Sequence, residues 1–220
     1  MKSATAVTYE LDDTSKAVTD LTKKIREKLT PEKYTVSVLY GQPEMDFGEL
    51  SAALSSELGC LVIGCTTAAG AVVTNNGYLE LAAALHVITG NDCLFTAAIS
   101  SSLTTDPEEK ITDTYRRAYR YLKKQDKSAE PEMVICITSI VESIASDKIL
   151  EIVAALCGDL PVFGFNAADD FDFSKQQVFL SGITGGDRLV LLLISGDIKP
   201  IYYKVRQFHN AALALSTFSN

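Results

Sequence analysis

Apolar positions recur along this chain at two different periods, and the periods mark its elements. From Asp12 to Thr30, Ala17, Leu21, Ile25 and Leu29 return every fourth position, which puts them on one face of a helix. Asp12, Asp13, Thr14 and Ser15 offer oxygens to cap its first turn, and Thr30-Pro31 closes it. The β-rich run Tyr34 to Tyr40 predicts a strand. Phe47, Leu50, Leu54 and Leu58 then predict a second helix, with Gly59 placed to stop it. Cys60 to Ile63 reads as a short apolar strand entering a small-residue turn from Gly64 to Gly70. Asn75-Asn76-Gly77 reads as a hairpin turn into a long strand, Tyr78 to Ile88, followed by another near Cys93 to Ile99.

The second half passes through the same events. Asp106-Pro107-Glu108-Glu109 supplies an N-cap, an N1 proline and first-turn acids for a helix that turns Ile111, Tyr115, Ala118, Tyr119 and Leu122 inward. A strand is expected over Met133 to Thr138 and a helix on Ile149, Ile152, Val153 and Leu156, stopped near Gly158. The strand Pro161 to Phe163 enters a turn beginning at Gly164. Val178 to Ser181, Leu189 to Ser195 and Ile201 to Val205 complete the strands. Laying each residue over the one a hundred positions later puts Leu50 on Leu150, Val62 on Val162, Gly64 on Gly164 and Ala68 on Ala168. Element order repeats with them, pointing to an internal duplication of a helix-strand-helix-strand-strand unit. The expected class is α/β (α+β): mixed β-sheets flanked by helices, in layers αββα or as an open mixed sheet. One domain is expected over 1–205, with pseudo-repeats of about 14–100 and 106–205 and a tail at 206–220.

Composition narrows the function classes. With 47% hydrophobic and 22% charged residues the chain is globular, and its formal net charge of -8 disfavours nucleic acid as a partner. The basic runs at Lys23, Lys24, Arg26 and Lys28, and at Arg116, Arg117, Arg120, Lys123 and Lys124, fall in helical patterns and read as solvated faces. No apolar stretch is long enough to span a membrane, and no signal-peptide core is seen at the N-terminus, so a cytoplasmic location is expected. Five cysteines in mostly apolar strand contexts suit reduced thiols. Without a C-x-x-C pair, and with His86 and His209 the two histidines, neither a metal nor a cofactor is implied.

The two glycine-led turns are the candidate site. In the first, Gly64 and Gly70 allow close backbone approach, Thr66 and Thr67 offer hydroxyls to a carboxylate or phosphate, and Cys65 is a contact, a redox sensor or a nucleophile. In the second, Gly164 leads to Asn166, both donor and acceptor, and to Asp169 and Asp170, which could receive an ammonium group. Brought together at equivalent strand ends, the turns would form a pocket for a zwitterion. The bland alternative for each is a tight strand exit and a pair of capping acids. A nucleophilic Cys65 or Thr66 wants a nearby base, and His86 sits in an alternating strand pattern while His209 lies in the tail. A non-enzyme is expected.

Leu61-Val-Ile-Gly-Cys-Thr-Thr-Ala-Ala-Gly70 resembles the "viGCSTaGe" hallmark of the FIST N-terminal sensory domain. Leu160-Pro-Val-Phe-Gly-Phe-Asn-Ala-Ala-Asp-Asp170 is similar to that family's "pviGGsAgDd" stretch. The similarity runs from about Ala17 to about Val205. Thr66 stands where Ser is usual, an extra alanine precedes Gly70, Ala71 replaces a typical Glu, and Phe165 replaces a second glycine. The resemblance implies a bacterial signal-transduction role, chemotaxis included, with small ligands such as amino acids. It also implies partners: a FIST C-terminal domain, or a chemoreceptor or histidine-kinase output module. A homodimer stays open.

Overall fold

The chain folds into four layers, α-β-β-α, in a computed structural model that describes residues 1–74, 77–198 and 200. In chain order the first half holds β1 (Lys2–Thr8), α1 (Thr14–Arg26), β2 (Tyr34–Gly41), α2 (Phe47–Leu58), β3 (Leu61–Thr66), the short strands β4 (Val72–Thr74) and β5 (Gly77–Leu79), and β6 (Ala83–Gly90). The second half holds β7 (Cys93–Ile99), α3 (Pro107–Gln125), β8 (Met133–Thr138), α4 (Ser146–Cys157), β9 (Val162–Asn166), β10 (Val178–Leu180), β11 (Ile183–Gly185) and β12 (Leu189–Gly196). The turn at Asn75-Asn76, the expected strand Ile201 to Val205, and the tail with His209 lie outside the described residues.

Period-2 patterning dictates the layering, because alternate side chains of a strand point to opposite faces. On one face of the first sheet, Leu39, Val62, Leu85 and Phe179 pack with Leu21, Ile25, Leu50 and Leu54 of α1 and α2. On its other face, Val36, Val38, Ile63 and Cys65 meet Phe95, Ala97, Ile137, Val190 and Leu192 of the second sheet. That sheet's outer face, with Val134, Cys136, Leu191 and Leu193, packs on Ile111, Ala118, Ile149 and Val153 of α3 and α4. Each fully buried Leu or Ile contributes about 1.5–3 kcal/mol relative to exposure. The helix ends follow their sequence signals. The Asp13 carboxylate accepts the Lys16 N–H at 3.0 Å, and Gly59 ends α2 with φ 64°.

The sheets share one plan. The first runs β1-β6-β2-β3-β10-β11 and the second β7-β12-β8-β9. In each, two strands flanking a helix are parallel (β2 and β3, β8 and β9), and the strands on their inner side are antiparallel. The halves are also interlocked. The hairpin β10–β11 belongs to the second half by sequence but pairs with β3 of the first, Phe179 opposite Gly64. Its positional counterpart β4–β5 follows β3 as β10–β11 follows β9, yet forms its own two-stranded sheet and packs near Tyr40, Ala82 and Ala84. Tether length separates the two cases: residues 67–71 lead to β4, the longer stretch 167–177 to β10.

Several elements differ from the sequence pattern. The strands do not stop at the glycines but continue through them, β3 to Thr66 and β9 to Asn166. Expected as one strand, Tyr78 to Ile88 is two, interrupted where Leu81 takes φ 50°. α1 ends at Arg26, although Leu29 beyond it is still buried. β1 and β11 carry weak signals of their own and form by pairing with β6 and β10.

Candidate functional site

Both glycines lie where a side chain would run into the backbone of the neighbouring parallel strand. A Cβ on Gly64 would stand 1.8 Å from the Leu39 carbonyl oxygen, and one on Gly164 2.4 Å from that of Cys136. Leu39 and Cys136 are the registered partners of these glycines in the parallel pairs β2–β3 and β8–β9. Here glycine serves close backbone approach within a sheet rather than a turn. Just beyond, both chains bend alike: the Thr67 N–H donates to Gly41 O at 2.8 Å, and the Ala167 N–H to Thr138 O at 2.7 Å.

The two bends meet. The Ala168 N–H donates to Thr66 O at 3.0 Å, and the Asp170 carboxylate accepts the Ala69 N–H. They meet by bonding to each other, and of the expected ligand-binding residues Thr66 and Asp170 are engaged in that join. Thr66 is fully buried, its hydroxyl accepting the Gln177 N–H at 3.1 Å while its own N–H donates to Gln177 O. The Thr67 hydroxyl is 3.5 Å from Gly41 O. Gly70 takes φ 56°, with Ala82 O 3.0 Å from where a Cβ would sit. Asp169 is 6% exposed and accepts the N–H groups of Phe173 and Lys175, each at 3.0 Å, fixing a loop that holds Phe171 and Phe173 outward.

Cys65 points into the core between the sheets, 1% exposed, and burial pushes its thiol up to about 12. His86 lies on β6, with β2 between it and β3. Its Nδ1 is 2.8 Å from the Thr5 hydroxyl, and burial lowers its pKa.

An open cavity lies beside the join, at the carboxyl ends of β8 and β9 and the start of α4. It measures ≈ 280 Å³ and is lined by Cys136, Thr138, Ser146, Asp147, Ile149, Leu150, Gly164, Phe165 and Asn166. Gly164 and Asn166 belong to the sequence-derived set; Phe165 lies between them on β9, and the others come from α4 and β8, outside the turns. The Asn166 amide donates to the Ser146 hydroxyl at 3.2 Å, and Phe165 lies 5.6 Å from the Tyr40 ring. Burial pushes the Cys136 thiol up to about 12. At the opposite end of the sandwich a wider groove of ≈ 620 Å³, lined by Lys33, Tyr34, Cys60, Phe95 and Gln125 among others, contains no bend residue. We place the site at the smaller cavity, because parallel strand ends and a helix start converge there.

The same position in the first half is filled. Sheet register and helix starts match Leu39 to Cys136, Gly41 to Thr138, Phe47 to Ser146, Leu50 to Ile149 and Gly64 to Gly164. In the first half the Phe179 ring lies over Gly64, one ring carbon 2.8 Å from where a Cβ would be. It stacks on Phe47 with centroids 4.6 Å apart and planes 8° apart. In the second half Ser146 stands for Phe47, and nothing among the described residues fills the place of Phe179. The helix start differs too. Asp46 caps α2 by accepting the Glu49 N–H at 2.9 Å, whereas Ala145 gives α4 no side-chain cap. The pairing of Phe47 with Ser146, one step off the hundred-residue overlay, was the available sequence signal.

Fold and site together define a four-layer αββα module made of two interlocked, similarly wound halves, with an open cavity at one pair of parallel strand ends. A family model described as FIST N domain matches residues 35–211, so the chain belongs to the FIST N domain family, a family of signal-transduction sensory domains. No curated protein matches the chain. No helix among the described residues is long and apolar enough to cross a membrane.

Proposed function

We infer that this domain is a non-catalytic sensor that binds a small metabolite, an amino acid or a close analogue, in the cavity between β8, β9 and α4. The observation that carries the reading is that cavity: it is open, of metabolite size, and its lining mixes apolar Ile149 and Leu150 with polar Thr138, Ser146, Asp147 and Asn166. The Asp147 carboxylate accepts the Lys148 N–H at 2.9 Å, but Ala145 provides no N-cap side chain, which leaves the start of α4 open to a ligand carboxylate, and Asp147 offers the opposite charge for an ammonium group. A nucleophilic Cys65 is disfavoured by its burial and by the strand separating it from His86. The joined bends, with Thr66, Thr67, Gly70, Asp169 and Asp170, act as the frame that positions Gly164 and Asn166, and ligand occupancy is relayed through them to an output partner.

Thermal unfolding across the standard amino acids tests this. A ligand at a hundred times its Kd adds about 2.7 kcal/mol, or roughly 5–10 °C for a domain of this size. Asn166→Ala is expected to weaken the response. A flat panel, or a response that Asn166→Ala leaves unchanged, overturns the proposed site.

A further inference from the structure

We propose that the group this cavity accepts is a planar aromatic ring, carried by a small carboxylic acid such as an aromatic amino acid. The inference rests on the small-ligand reading above and adds the class of ligand. Its basis is the filled counterpart in the first half. There the helix-side surface over the strand glycine holds the Phe179 ring, packed between Gly64 and the face of Phe47. A glycine at that point removes the side chain that would occupy the ring's place and lets the ring lie directly against the strand backbone.

The second half keeps this construction. Gly164 again faces the helix side over Cys136, and Ile149 again forms the wall that Leu50 forms in the first half. Two things are missing: the ring that Phe47 supplies, replaced by Ser146, and the incoming ring. The missing ring has no supplier within the described chain, since β4–β5, the hairpin in the position of β10–β11, packs near Tyr40 and Ala82 instead. A free aromatic molecule completes the arrangement. Its ring lies over Gly164 against Ile149 and Leu150, and its acid end reaches the α4 first turn near Ser146 and Asn166.

The chain contains no tryptophan, so indole emission can be read without protein background. Titration of the whole chain with L-tryptophan and with indole-3-acetate is expected to give a blue-shifted, saturable signal. L-Phenylalanine should compete at least about tenfold better than L-leucine or L-alanine, a factor in the range that one well-placed apolar group supplies. Gly164→Ala, whose methyl takes the ring's place, and Leu150→Glu, at a largely exposed lining position, should each lower affinity at least about tenfold. The second variant reads the site even where the first disturbs the fold. Aliphatic acids binding as tightly as aromatic ones would overturn the aromatic assignment and leave the sensor reading standing. No binding by any of these probes would overturn the aromatic assignment, and the sensor reading falls with it only when the full amino-acid panel is flat as well. Aromatic binding indifferent to both substitutions would remove it from this cavity.

Discussion

The two ends of parallel strands in this molecule are built alike and finished differently. Around Gly64 the space is closed by Phe179 and Phe47, stacked and buried. Around Gly164 the same strand pairing and helix leave ≈ 280 Å³ open. One half is therefore a packing solution and the other its unpacked version. The difference lies in one exchanged residue, Ser146 for Phe47, and in a hairpin, β4–β5, that follows a shorter connection, 67–71, and forms its own sheet. An empty place in a repeated fold is most informative when its occupied copy can be inspected in the same chain.

The largest expected effect is on the filled side. Phe179→Ala should cost about 3–5 kcal/mol in urea unfolding, the range for losing a buried aromatic ring. A cost below about 1 kcal/mol would mean the ring is not holding the two halves together. Next, the two glycines should respond unequally. Gly64→Ala drives a methyl into Leu39 O in a strand paired on both sides, whereas Gly164→Ala meets Cys136 O from a strand bounded, among the described residues, on one side. Overpacking costs typically about 1–3 kcal/mol, and Gly64→Ala should fall at or above the top of that range, with Gly164→Ala clearly lower. Equal costs would end the claim that the second half is the more adaptable. Asp169→Ala takes the charged acceptor away from the part-buried N–H groups of Phe173 and Lys175, for about 1–3 kcal/mol, and should speed proteolysis within 169–176.

The smallest effect at neutral pH concerns Cys65. Burial pushes its thiol up to about 12 from an ordinary value of 9.0, so the stability it contributes is fully present below about pH 9 and is lost as pH rises toward about 12. Alkylation of Cys65 at pH 7 should therefore be slower than in urea-unfolded chain by orders of magnitude. Comparable rates would reopen the nucleophile reading.

Helices were legible because their signals are local. The apolar spacing of Leu50, Leu54 and Leu58, the Asp13 cap and the Gly59 stop all lie within one element. The strands through Gly64 and Gly164 were cut short because glycine in isolation reads as a turn. That it accommodates a neighbouring backbone depends on Leu39 and Cys136, distant in sequence. The acids Asp169 and Asp170 were legible as polar bend residues, but not the N–H groups they would face, which come partly from the other half. Ile149 reads as an ordinary helix-core position, and Leu150 enters only through its overlay on Leu50. Their place at a cavity depends on a ring present in one half and missing from the other.

The crossing of β10–β11 onto β3 has a consequence for cooperativity. The first sheet is completed by two strands of the second half, so the repeats should not melt one after the other: unfolding should be a single transition by circular dichroism and by calorimetry alike. The connection at 167–177 starts from the last residue of β9, which borders the open cavity, and ends in a strand of the opposite sheet. The rim of the open cavity and the opposite sheet are thus joined by one continuous stretch of chain.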